Sequence, residues 1–173
     1  MSTVKTTYPS TSTAAVTISL ASLGSGSQYV YTSGRESLAV DNTTNRDLDH
    51  LLRGKIRTGT SPTAGRWINV YAVAPRSISS GTPTWPDQCT GADAARSFTS
   101  ANVMNAIVKL VASITIDSTS ARDYDFGPVS VAQLFGSMPS TYSVYVAHDT
   151  GVALDSTAGN HIIHYERIQG DVT

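Results

Sequence analysis

Hydrophobic and polar residues alternate in short runs along most of this chain, at the two-residue period of a pleated strand. Val16, Ile18 and Leu20 share one face, with Thr17 and Ser19 on the other. Residues 28–32, 37–40, 110–116, 142–146 and 161–168 read the same way, each bounded by turns rich in Gly, Asn, Asp or Ser. In a longer run, Leu48, His50, Leu52 and Ile56 alternate with Asp49, Leu51, Arg53, Lys55 and Arg57. Residues 67–74 are apolar on both faces, with Trp67, Tyr71 and Val73 opposite Ile68, Val70 and Ala72 and only Asn69 interrupting, which predicts a central strand. Helical periodicity is confined to the start of 101–111 and to one turn at 131–134. About eight strands at this spacing predict an all-β fold, a two-sheet antiparallel sandwich of jelly-roll-like type with long loops.

Two stretches fall outside the pattern. Residues 2–13 hold eight Ser or Thr in twelve positions and show no apolar period, so 1–13 is expected to be a flexible arm and 14–173 the β-sandwich domain. Residues 75–100 carry Pro75, Gly81, Pro83, Pro86 and Gly91 and no sustained period. A loop of that length in a compact domain points to function, and it holds Trp85, a candidate partner-binding residue.

Composition strengthens the strand reading. Ser and Thr make up 45 of 173 residues, whereas Glu occurs twice and Lys three times. The unbranched residues that fill helices are scarce, and the acidic residues are mostly Asp, which favours turns. Net charge is −1, so the basic footprint of a nucleic-acid binder is missing and no nucleic-acid partner is expected. Locally the charge is uneven: Arg53, Lys55 and Arg57 lie on one face of the long strand, where three cations must be wet or paired. A partner's acidic surface is the expected cover, which makes them candidate partner-binding residues. No apolar run reaches the ~20 residues that span a bilayer, and the first residues lack the apolar core of a signal peptide. No membrane partner is expected, and the expected placement is cytoplasmic.

Candidate chemistry is sparse. His161 and His164 stand at i and i+3, on opposite faces of a strand, and cannot readily clasp one metal; His148 lies one strand earlier. Asp41, Asn45, Asp47 and Asp49 form an oxygen-rich run whose spacing does not match a calcium loop, and a hydrogen-bonded turn is the expected reading. Asp123 and Asp125 are a close pair without catalytic context. Cys89 is the single cysteine and has no neighbouring base in sequence, so neither a disulfide within the chain nor a cysteine zinc site can form. No nucleophile elbow, phosphate loop or dinucleotide fingerprint is present. The expectation is a non-enzyme with no metal and no cofactor. Trp85, Tyr124, Tyr142 and Tyr165 are considered as a platform for sugar rings, against the alternative that such residues are packing.

The order of segments adds a resemblance. Val40-Asp41-Asn42-Thr43-Thr44-Asn45, Gly54-Lys55-Ile56-Arg57-Thr58-Gly59 and Trp67-Ile68-Asn69-Val70-Tyr71 follow one another, then Thr90-Gly91-Ala92-Asp93-Ala94 and Phe135-Gly136-Ser137-Met138-Pro139. The chain closes on Thr150-Gly151-Val152-Ala153-Leu154-Asp155-Ser156-Thr157-Ala158-Gly159-Asn160-His161, with Tyr165 beyond. Over residues 15–169 this resembles a family of tailed-bacteriophage virion structural proteins. The resemblance implies a jelly-roll-like sandwich with no catalytic residues. It further implies a place in the virion, assembled in the host cytoplasm. The role expected from it is a capsid decoration or cement protein, a homo-oligomer with a trimer favoured, whose partner is the major capsid protein. A tail or head–tail component is the alternative within the particle, and a carbohydrate- or receptor-binding module the alternative from another class.

Overall fold

A computed structural model of the chain describes residues 4–9, 12–79 and 81–172. The strands are β1 (Val4–Thr7), β2 (Thr13–Ala15), β3 (Ser33–Glu36), β4 (Val40–Asp41), β5 (Asp49–Arg57), β6 (Trp67–Val73), β7 (Ser77–Ser79), β8 (Thr82–Thr84), β9 (Ala94–Ser97), β10 (Val108–Thr115), β11 (Asp123–Ser130), β12 (Thr141–His148) and β13 (Ile162–Val172). Two short helices, α1 (Ala101–Ile107) and α2 (Val131–Phe135), are capped by the Ser100 and Ser130 side chains. One sheet runs β1-β13-β5-β11 with β2 also on β13; the other runs β10-β6-β12-β3-β9 with β4 also on β12.

The pairings nest. β2 pairs with β13, β3 and β4 with β12, β5 with β11 and β6 with β10, all antiparallel. This is one long hairpin rolled up, closed into two sheets by β13 on β5 and β12 on β6. The chain is an all-β sandwich with jelly-roll connectivity.

Alternation places the main core between the sheets. Leu52, Ile56, Phe126 and Ile163 come from one sheet, and Ile68, Val70, Ala72, Val144 and Val146 from the other. Each Val, Leu, Ile or Phe among them contributes roughly 1.5–3 kcal/mol on burial. β6 and β12 are buried on both faces, as the apolar run 67–74 predicts. Their outer residues, Tyr71, Val73, Tyr145 and Ala147, form a second core with Cys89, Phe98, Met104 and Val108. Residues 75–107 supply that second layer. The expected structureless stretch 75–100 therefore holds the hairpin β7–β8 and the edge strand β9, with α1 following it.

Other expectations are corrected. Residues 16–20 and 28–32 alternate but form no ladder. Val16 and Leu20 still enter the main core, while the backbone follows the 148–155 loop through Ser22 to Asp155, Gly26 to His148 and Leu154 to Leu23. Within the stretch expected to be a free arm, Val4–Thr7 pairs with residues 169–172 of the chain's own β13, and Thr13–Ala15 with 164–166. Met1, Ser2, Thr3, Ser10 and Thr11 lie outside the described residues.

Candidate functional site

The face singled out by the sequence is the outer side of the β1-β13-β5-β11 sheet. Arg53, Lys55 and Arg57 do share it, because His50, Leu52 and Ile56 turn inward. The acidic cover expected from a partner is supplied within the sheet. Register places Asp123 of β11 opposite Arg57, and Glu166 of β13 diagonal to Arg53. Arg57 Nε donates to Asp123 Oδ1 at 2.6 Å and its Nη2 to Oδ2 at 3.1 Å, while Lys55 Nζ donates to Oδ2 at 3.1 Å. Arg53 Nη2 pairs with Glu166. The hydrogen bonds from Arg57, with those of Lys55, outweigh partial burial and hold the Asp123 carboxyl down to about 2. The face is therefore a mixed-charge surface rather than an uncovered cationic one, and its cations need no partner to cover them. Exposed pairs of this kind contribute ~0–1 kcal/mol each. Asp123→Asn is expected to lower stability by about 1 kcal/mol at low salt, with the difference shrinking as salt rises in urea titrations. An effect independent of salt would contradict this account.

Beside these pairs lies an open depression of about 370 Å³, bounded by Gly54, Phe126, Gly127, Pro128, Ile162 and His164. Gly127 has φ +85, and a Cβ there would meet the Leu52 carbonyl oxygen at 2.3 Å, so only glycine fits where β11 bulges against β5. Ile162 is 45% exposed at its rim, and Arg53 Nε is buried beside it without a hydrogen-bond partner.

Trp85 sits elsewhere. It packs against the second core and over Gly91, whose Cβ would lie 2.6 Å from the indole. Trp85, a candidate partner-binding residue in the sequence, is half-buried and is thus part of what fixes the 85–98 segment to the sheet. The four-aromatic sugar platform does not form either. Tyr142 is fully buried, Tyr165 stacks on His50 at 4.2 Å, and Tyr124 donates its hydroxyl to Asp117.

Buried charge is organised at two points, Glu36, which the sequence does not single out, and Asp47 of the oxygen-rich run. Glu36, fully buried in β3, accepts from Thr90 N at 3.0 Å, Gly91 N at 2.8 Å, Ser143 Oγ at 3.0 Å and Arg96 Nε at 2.9 Å. Asp47 accepts from Arg167 through both oxygens, from Gln169 Nε2 at 2.7 Å and from His50 Nε2 at 2.9 Å. Burial pushes the Asp47 carboxyl up, but these hydrogen bonds prevail and hold it below the usual carboxylate range. Burial likewise pushes His50 down, against the pull of Asp47. A signal existed for Glu36: it is one of two glutamates in the chain, placed between short apolar runs. The Asp41–Asp49 run is a hydrogen-bonded turn as expected, with the Asn42 side chain donating from Nδ2 to the Asp47 carbonyl and accepting at Oδ1 from Asp47 N, and Asp49 accepting from Ala132 N of α2.

Burial pushes the Cys89 thiol up to about 12, with Glu36 adding to it, which leaves little thiolate at neutral pH. Among the described residues no group of three His, Cys, Asp or Glu is placed to hold a metal ion, and no helix is long and apolar enough to cross a membrane. No family model, curated protein or solved structure matches the chain.

Proposed function

We propose that this chain is a non-enzymatic structural protein of a bacteriophage virion, a capsid decoration or cement protein that binds the outside of the shell and strengthens contacts between capsomers. The observation that carries the reading is a two-stranded ribbon leaving the body of a jelly roll. β13 pairs with β5 only as far as Ile168, and residues 169–172 continue with β1 alone. Among the described residues, both long edges of that ribbon lack a strand partner. Open edges invite strand addition to a neighbouring chain, which is how a clamp gains backbone hydrogen bonds without a large apolar patch. The hairpin β7–β8 likewise pairs only with itself and presents Ile78, 39% exposed. The order of motifs that resembles phage structural proteins points the same way. The major capsid protein is the partner, and the chain acts as a homo-oligomer, with a trimer favoured.

Deleting residues 2–9 is expected to abolish attachment to expanded shells while leaving the urea midpoint of the isolated protein nearly unchanged. Particles depleted of the protein should release DNA at lower temperature or after osmotic shock. Quantitative mass spectrometry of particles separates the alternatives: hundreds of copies agree with decoration, whereas one ring's worth means a tail or head–tail position. Depleted particles with unaltered heat stability would sink the cement reading.

A further inference from the structure

The second layer does not seal the outer face of the β10-β6-β12-β3-β9 sheet completely. Beside α1, two adjoining hollows of about 300 and 160 Å³ open onto it. They share Tyr71 and Asn105; the larger also reaches Asn69, Leu110 and Ser113, the smaller Tyr29, Tyr31 and Met104. Among the described residues no charged side chain lines either hollow. Elsewhere on the molecule, at Arg35, Arg53, Arg57, Arg122 and Arg167, arginines meet carboxylates. The groove is therefore a neutral strip of tyrosine rings and amides.

Its rim is held in place at a conformational cost. Tyr29 has φ +59, a backbone region unfavourable for a bulky side chain, yet its ring is 64% exposed. The strain is fixed by Asp149, which is 2% exposed: its Oδ2 accepts from Tyr29 N at 2.9 Å and its Oδ1 from Trp67 N at 2.7 Å. Burial, with the nearby Asp149 carboxylate adding to it, pushes the pKa of the Tyr31 hydroxyl well above the usual value. One buried carboxylate thus ties the backbone of the rim residue Tyr29 to the start of β6. On the other side Ser113 Oγ donates to Asn69 Oδ1 at 2.6 Å, and the Asn105 side chain is exposed at the junction of the two hollows.

We propose that this groove binds a neutral carbohydrate. Tyr29 offers a flat apolar face to a sugar ring, and Asn105 offers one amide donor and one acceptor to its hydroxyls. An anionic sugar would find no cation in either hollow. A purely apolar ligand would leave the amides unpaired. The proposal does not rest on shell attachment, since sugar binding is read on the isolated chain and attachment on particles.

The test is an array of neutral oligosaccharides, with sialylated and sulfated ones for comparison, probed with the full chain and followed by amide chemical-shift titration of each hit. Retention of neutral sugars is expected, with shifts concentrated at residues 29–32 and 103–110. Asn105→Ala and Tyr29→Gly should each weaken binding about tenfold or more. Tyr29→Gly should melt no lower than the parent, because glycine accepts positive φ without strain. This separates loss of the ring from loss of the fold. The proposal is overturned by the absence of any neutral hit, by equal binding of charged sugars, by shifts centred on Gly54 and Pro128, or by binding indifferent to both substitutions.

Discussion

Replacing Glu36 with alanine is expected to cost about 3–5 kcal/mol, the range for removing one partner of a buried charge pair. The carboxylate is fully buried and accepts from two backbone N–H groups, a serine hydroxyl and the Arg96 guanidinium. Alanine leaves all four donors without this acceptor, and Arg96 as a partly buried charge. Those donors belong to β12, to β9 and to the Thr90–Gly91 turn, so the loss falls on the attachment of the second layer to the sheet. With total stability of order 5–15 kcal/mol, the variant sits near the edge of folding. Glu36→Gln keeps an acceptor oxygen but turns an NH₂ toward donors, and a loss of about 1–3 kcal/mol is expected. Urea titration measures both. A second readout is specific to the layer: Cys89, 4% exposed in the parent, should react faster with a thiol reagent in the alanine variant. Parent-like stability together with an unreactive Cys89 would mean that apolar packing of Trp85 and Phe98 holds the layer without the carboxylate.

How far the sequence announces this architecture depends on the range of the interaction. β6 is legible because both its faces are apolar, and β10, β12 and β13 because their alternation is local. α1 and α2 follow from a short helical period and a serine cap. β11 is not legible. Gly127 and Pro128 interrupt its alternation, and the strand continues only because a bulge against β5 absorbs the break. Residues 16–20 show the converse: their alternation buries Val16 and Leu20, yet the backbone bonds go to loops, since side-chain periodicity reports burial and not ladder partners. The candidate partner face fails for a long-range reason. Arg57 and Asp123 are 66 positions apart and Arg53 and Glu166 113, and nothing short of strand register reveals that the cations are already paired. The same holds for β1, whose Ser- and Thr-rich composition offers little apolar burial and which is placed by the backbone edge of β13.

Acid is expected to unfold this protein in a window set first by histidine rather than carboxylate. His148, 1% exposed at the end of β12, has Nε2 3.0 Å from the Leu23 carbonyl oxygen and Nδ1 3.0 Å from Thr150 Oγ1. Burial pushes its pKa down to about 4, against the opposing pull of the Leu23 carbonyl and Asp149. In the unfolded chain the value is about 6.5. The unfolded state therefore takes up the proton first, and the stability contributed by the neutral ring is complete above pH ~6.5 and lost as pH falls toward ~4. At about 1.4 kcal/mol per pH unit, the loss is about 3 kcal/mol by pH 4. His50, also lowered by burial, acts in the same direction. Asp47 and Asp123, both held below the ordinary carboxylate range, lose their contributions only at lower pH. His148→Gln removes the titrating ring from the same place. It should be less stable than the parent at pH 7 by about 1 kcal/mol through an imperfect hydrogen bond to Leu23. It should equal or exceed the parent at pH 4, so that the two curves of unfolding free energy against pH cross. Parallel curves would show that His148 carries the same charge in the folded and unfolded chain, and that the acid sensitivity arises from the carboxylates alone.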